Sequence, residues 1–228
     1  GDFRVEAQKV VGEKHLKLAV RVGGVVRDAI WFGRVEPVKD RVRLAWRLGL
    51  IFTGTNTVYF GFNAFAPGYL EAAGRTDLIS PVLAAFNLGQ LPATFLVGVA
   101  AQRLQRSPSN AAWLHAAAGI MLLTLLLALL AGAGRLGFWT IVLAAWLGFC
   151  NCTSLVFAFA LPARLAAPGE VPRLSAAMFT ISYTCAMVIA VAGGAAWDLS
   201  GDARFAFLPI AASVLPMILL RGQMTDVR

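Results

Sequence analysis

The 228-residue chain is 58% hydrophobic and only 14% charged, with a mean hydropathy of +0.70, whereas soluble domains average roughly 45–50% apolar and about 25% charged residues. That balance excludes an ordinary water-soluble domain and a disordered polar chain alike, and it makes lipid the expected solvent. The net charge of +8 does not point to nucleic acid, because the basic residues sit in the N-terminal segment and in short connections between apolar runs.

Residues 1–46 read as a basic N-terminal segment on the cytoplasmic side, poorly ordered or arm-like. Eleven Lys or Arg and six Asp or Glu fall within residues 1–47. Leu16, Leu18, Val20 and Val22 alternate with Lys17, Ala19 and Arg21 ahead of Gly23 and Gly24, the period of a strand. The first long apolar run begins only near Leu48, so insertion into a membrane is expected to be driven by the spans themselves.

Six apolar runs follow, each near the roughly 20 residues that a helix needs to cross hydrocarbon. They cover 47–70, 79–101, 111–134, 138–161, 175–196 and 203–220, so 47–220 reads as a six-helix transmembrane bundle and 221–228 as a short cytoplasmic tail. Asn110 and Ser175 are the expected caps of the helices that follow them, and Pro108, Pro168 and Pro172 are placed in the connections. Arg103, Arg106, Arg164, Arg173, Arg221 and Arg228 share one side with the N-terminal segment, against Arg75, Arg135 and Arg204 on the other. Positive charge favours the cytoplasmic side, so both termini are expected there, in a multi-pass protein of the cell membrane.

The spans differ in polarity. The first carries Thr53, Asn56, Tyr59 and Asn63 along one helical face; the second adds Asn87 and Gln90; the third is nearly bare. The fourth carries Asn151, Thr153 and Ser154, the fifth Thr180, Ser182, Tyr183 and Thr184, and the sixth is again almost bare, with Ser213. A polar, polar, bare order repeated twice is what a 3+3 inverted repeat produces when two helices of each triplet line a cavity. Hydroxyls in membrane helices commonly bond their own backbone, so Asn56, Tyr59, Asn63, Asn87, Gln90, Asn151 and Tyr183 are the candidate lining of a solute path. Interhelical hydrogen bonding is the competing role for the amides.

No Asp, Glu, Lys or Arg lies near the middle of any span, so no intramembrane proton relay is expected from this chain. His115, near the start of the third span, is expected at the interface. Cys150, Cys152 and Cys185 lie in apolar runs and are expected to be structural thiols. No clustered His, Asp or Glu offers a metal or an acid–base pair, so neither an enzyme nor a cofactor is expected. Asp198 is expected to cap a helix or to pair with Arg204.

Two sets of residues resemble a known family. Gly98-Val99-Ala100-Ala101-Gln102-Arg103-Leu104-Gln105-Arg106 resembles the G-x-x-x-D-R-x-G-R loop of major facilitator transporters, with Gln102 in place of the aspartate and Gln105 in place of the second glycine. Asn56-Thr57-Val58-Tyr59-Phe60-Gly61-Phe62-Asn63-Ala64-Phe65, Asn87-Leu88-Gly89-Gln90-Leu91-Pro92-Ala93 and Ala195-Ala196-Trp197-Asp198-Leu199-Ser200-Gly201 are similar to the seventh, eighth and eleventh helices of the cyanate/nitroimidazole permease branch. The resemblance covers about residues 40–220.

It implies the C-terminal six-helix half of a twelve-helix permease, with Gly98, Arg103 and Arg106 in a cytoplasmic latch. The implied solute is small, an anion such as cyanate or a compact polar heterocycle. The implied partners are the lipid bilayer, the solute, and a separate N-terminal half or a second copy that completes the cavity. The alternative is a non-transporting membrane subunit or an inactive permease fragment.

Overall fold

A computed structural model describes the backbone of residues 3–9, 16–22, 25–32, 38–104, 108–132, 137–166 and 169–220, and the side chains of 41–97, 113–131, 137–166 and 169–220. Ahead of the helices, β1 (Phe3–Lys9), β2 (Leu16–Val22) and β3 (Val25–Phe32) form an antiparallel meander in the order β1-β2-β3, with a register shift at Val20/Arg21. The alternating stretch at Leu16 is its middle strand.

From Val38 onward the described chain is helical: α1 (Val38–Ala72), α2 (Ile79–Leu104), α3 (Pro108–Gly132), α4 (Phe138–Leu165), α5 (Val171–Ser200) and α6 (Phe207–Leu219). Short 3-10 turns at Thr76–Leu78 and Ala203–Ala206 precede α2 and α6. Among the described residues, four segments are long and apolar enough to cross a membrane: Thr76–Val97, Trp113–Ala131, Phe138–Leu165 and Val171–Ser200. The last apolar helix is shorter, Ala203–Leu219, and α1 is the polar exception because Thr53, Thr55, Asn56, Thr57 and Asn63 dilute its leucines and phenylalanines.

Helix α1 starts at Val38, well before residue 47. The charged residues Lys39, Asp40, Arg41, Arg43 and Arg47 are compatible with helix, and the 35-residue helix reaches about 52 Å at 1.5 Å per residue, longer than hydrocarbon is thick. Helix α5 likewise begins at Val171, with Pro172 in its first turn, so Ser175 lies inside the helix and caps nothing. Pro108 opens α3, which puts Asn110 inside that helix. Proline is suited to a first turn, where its missing N–H leaves no bond unmade and its φ is already helical. The tail beyond residue 220 lies outside the described residues.

Packing follows the small residues. Helix α2 packs most extensively on α4, α1 on α5 and α6, and α3 on α4 and α6, while α1 also touches α4. At the α2–α4 crossing, a Cβ on Gly89 would run into the Ala145 carbonyl, and one on Gly148 into the Phe86 carbonyl. Two backbones therefore touch with no side chain between them, the close approach that glycine allows in membrane helices. Leu48, Ile51, Phe52, Val58, Phe62, Phe86, Leu122, Leu126, Leu147, Ile210 and Val214 fill the interior.

The outward surface is apolar as well, with Phe95 75% and Val191 74% exposed, and Met187, Leu96 and Leu208 exposed too. Apolar patches on soluble proteins rarely exceed a few hundred Å²; a surface of this kind needs an apolar covering. His115 departs from its expected place. It is fully buried, its ring edge-to-face with Phe157 of α4 at 6.1 Å, because the face of α3 that carries Ala116, Leu122, Leu126 and Leu129 is turned into the bundle.

Candidate solute-facing surface

Helix α1 organises the polar groups. Asn56, Tyr59 and Asn63 recur at three and four residues and so share one side of the helix, but neighbouring helices cover that side unequally. Asn56 is buried, and its Nδ2 donates to Ser182 Oγ of α5 at 2.8 Å. It is an interhelical tie rather than an open contact. One turn on, Tyr59 is half-buried, its ring stacked on Phe86 of α2 with centroids 6.1 Å apart. Asn63, also half-buried, donates to the Tyr59 carbonyl at 2.8 Å and accepts from Asn87 Nδ2 at 2.9 Å.

Asn87 is held through its amide nitrogen, since the same Nδ2 also donates to the Leu83 carbonyl at 2.9 Å. Among the described residues its own side-chain oxygen receives no hydrogen bond. Gln90 follows one turn later on the same side of α2 and is half-buried; its backbone carbonyl accepts from Thr94. On the other flank, Tyr183 of α5 is 46% exposed and Phe60 of α1 is 44% exposed, with their ring centroids 6.0 Å apart. Tyr59, Asn63, Asn87, Gln90 and Tyr183 thus belong to one strip across α2, α1 and α5.

Asn151 does not join the strip. It is buried in α4, and among the described residues its Oδ1 meets no hydrogen-bond donor, a situation that costs about 1–3 kcal/mol. Thr53, Thr153, Ser154 and Thr180 each bond the carbonyl four residues back, the local use expected of hydroxyls in membrane helices. Gly98 and Arg103 fall in the last turns of α2 with their side-chain surroundings outside the described residues, and Arg106 lies outside them altogether.

Electrostatics near the strip are simple. Residues 48–70 of α1, 79–97 of α2 and 174–197 of α5 contain no Asp, Glu, Lys or Arg. The charged side chains gather at the ends. Arg75 holds Asp77 through two hydrogen bonds, 3.0 and 2.9 Å long. Arg41 meets Glu170 at 2.5 Å, joining the start of α1 to the start of α5. Asp198 is exposed, and the Arg204 amide is capped instead by Asp202 Oδ1 at 2.9 Å. The nearer acid in the turn takes the capping role because its side chain can reach the backbone two residues on.

Sequence reasoning missed Phe60 and Tyr69. The first looks like one more core phenylalanine in an apolar run, and only the rotation of α1 exposes it. The second donates its hydroxyl to the Leu130 carbonyl of α3, a long-range contact with no local signature. No protein-family model, curated protein or solved structure matches the chain. Fold and surface together define a class: a protein whose chain from Val38 onward is helical where described, with four helices among the described residues long and apolar enough to cross a membrane, and with a mixed amide and aromatic strip free of ionised groups.

Proposed function

We propose that the chain is a multi-pass membrane protein that moves a small solute, its six helices forming one wall of a major facilitator-type path. The observation that carries this reading is the half-exposed strip of Tyr59, Asn63, Asn87, Gln90 and Tyr183 on a surface whose other exposed side chains are largely apolar. Amides facing hydrocarbon are costly, roughly 2–7 kcal/mol each when unpaired, so such a strip belongs against water, a solute or another polar surface.

The helix pairing supports the 3+3 arrangement. Exchanging α1 with α4, α2 with α5 and α3 with α6 turns the α1–α5 pairing into α4–α2, and α1–α6 into α4–α3, all of which are main packing contacts. Exposed tryptophans support the orientation across a bilayer: Trp46 and Trp113 stand near the starts of α1 and α3, and Trp139 near the start of α4. In a chain that crosses at every helix, these positions are the two interfaces, where tryptophan concentrates. One six-helix wall leaves the path open on one side, so a separate six-helix half or a second copy completes it, with both termini cytoplasmic.

The test needs no knowledge of the solute. With Cys150, Cys152 and Cys185 replaced by alanine, single cysteines are placed at Asn63, Gln90 and Tyr183, and at Val191 and Leu208 as lipid-facing controls. A membrane-impermeant thiol reagent applied to the protein in native membranes should modify the first three and leave the controls unmodified. Equal protection of all five would remove the water-accessible path, and transport with it.

A further inference from the structure

The first turns of α1, ahead of its ionless stretch, carry two different faces. On one, Leu44 and Leu48 are buried and Arg41 is paired with Glu170 at the start of α5, so the segment is fastened to the bundle and its rotation is set. The other carries Val42 and Trp46, each 52% exposed, with Arg43 exposed between them. Spacings of three and four residues put these on the side away from Leu44 and Leu48. Among the described residues no carboxylate pairs with Arg43.

Depth in a bilayer follows from the helix itself. Residues 48–70 hold no Asp, Glu, Lys or Arg and rise about 33 Å at 1.5 Å per residue, enough to cross a hydrocarbon layer of about 30 Å. Trp46 therefore comes just outside that layer, where indoles concentrate. Arg43 lies about 7.5 Å beyond Leu48 along the axis, within a headgroup layer roughly 5–8 Å deep on each side. Lys39, Arg43 and Arg47 recur at every fourth position, and Asp40 is the one acid among residues 38–47. Like charges one turn apart repel, and an anion beside the row relieves that repulsion.

We propose that this face of α1 holds an anionic phospholipid, with the Arg43 guanidinium on the headgroup phosphate and Trp46 and Val42 against the glycerol and upper acyl chain. The site needs only that α1 crosses a bilayer, and it takes no part in the solute path. Chemistry selects the occupant. A guanidinium matches a phosphate with paired N–H donors. A zwitterionic headgroup offsets that attraction with its own cation, and a soluble anion leaves the half-exposed indole and valine uncovered.

The test uses the full chain in nanodiscs of equal parts phosphatidylglycerol and phosphatidylcholine with the same acyl chains, released into a native mass spectrometer that identifies the lipids it keeps. Phosphatidylglycerol should be retained over phosphatidylcholine by about fivefold or more, and Arg43→Gln should lower that preference about fivefold, the scale of one cation at an anionic surface. Arg43→Lys should keep most of it. Arg173→Gln, which removes an exposed cation from the start of α5, should leave it unchanged. Equal retention of the two lipids by the native chain overturns the proposal. So does a preference that Arg43→Gln leaves intact, or one that Arg173→Gln lowers as far, which marks a general basic surface. Loss of the bound lipid on adding millimolar glycerol phosphate would assign the site to a soluble anion and overturn it too. The lipid comparison and the competition use the native chain, so they decide the matter even where Arg43→Gln fails to fold.

Discussion

Asn87 donates to Asn63 across 2.9 Å, and this one hydrogen bond joins α2 to α1 at the edge of the exposed strip. Each amide is also tied to its own helix, Asn63 to the Tyr59 carbonyl and Asn87 to the Leu83 carbonyl. The pair is thus a positioned unit, and among the described residues Asn87 Oδ1 receives no hydrogen bond.

Replacing either amide with leucine should destabilise the bundle by about 1 kcal/mol, and the double variant by less than the sum, because interhelical hydrogen bonds in membranes average near ~0.6 kcal/mol and coupled groups are non-additive. A thermal unfolding series on the four proteins of the cycle measures the coupling. Strict additivity would mean that the two residues act independently. Asn63→Ala and Gln90→Ala should in addition lower solute uptake at unchanged membrane abundance.

The α2–α4 crossing leaves no room for a side chain. Gly148→Ala pushes a methyl into the Phe86 carbonyl and should cost about 1–3 kcal/mol by overpacking. Gly194→Ala in α5, where nothing lies within 4 Å of the added carbon, should be neutral or stabilise by up to about 1 kcal/mol through better helix propensity. If both substitutions behave alike in a thermal melt, backbone contact between α2 and α4 is not what holds them.

Arg41 and Glu170 tie α1 to the start of α5, with side chains 30% and 39% exposed. At that exposure a pair contributes at most about 1 kcal/mol and weakens with salt. Glu170→Gln should therefore lower the unfolding temperature slightly at about 0.05 M salt and hardly at all near 1 M, where the screening length falls to about 3 Å. A loss that is insensitive to salt would assign Glu170 a packing role.

Much of this protein was legible before any fold. The presence of six helices, four of them long and apolar enough to cross a membrane among the described residues, and the ionless stretches of α1, α2 and α5 follow from the sequence, because hydropathy and helical spacing are properties of a local window. Asn63, Asn87, Gln90 and Tyr183 could be chosen from residue type alone, since a buried amide or phenol in a span needs a partner. What the window cannot contain is the rotation of each helix about its axis. Rotation put Asn56 against Ser182 in the interior and Asn63 at the edge, although both sit on the same side of α1. It buried His115 against Phe157 where an interfacial position was expected, left Asn151 outside the strip, and exposed Phe60 beside Tyr183. Those outcomes depend on which backbones approach closest, as at Gly89 and Gly148, and that choice belongs to the packing of all six helices at once.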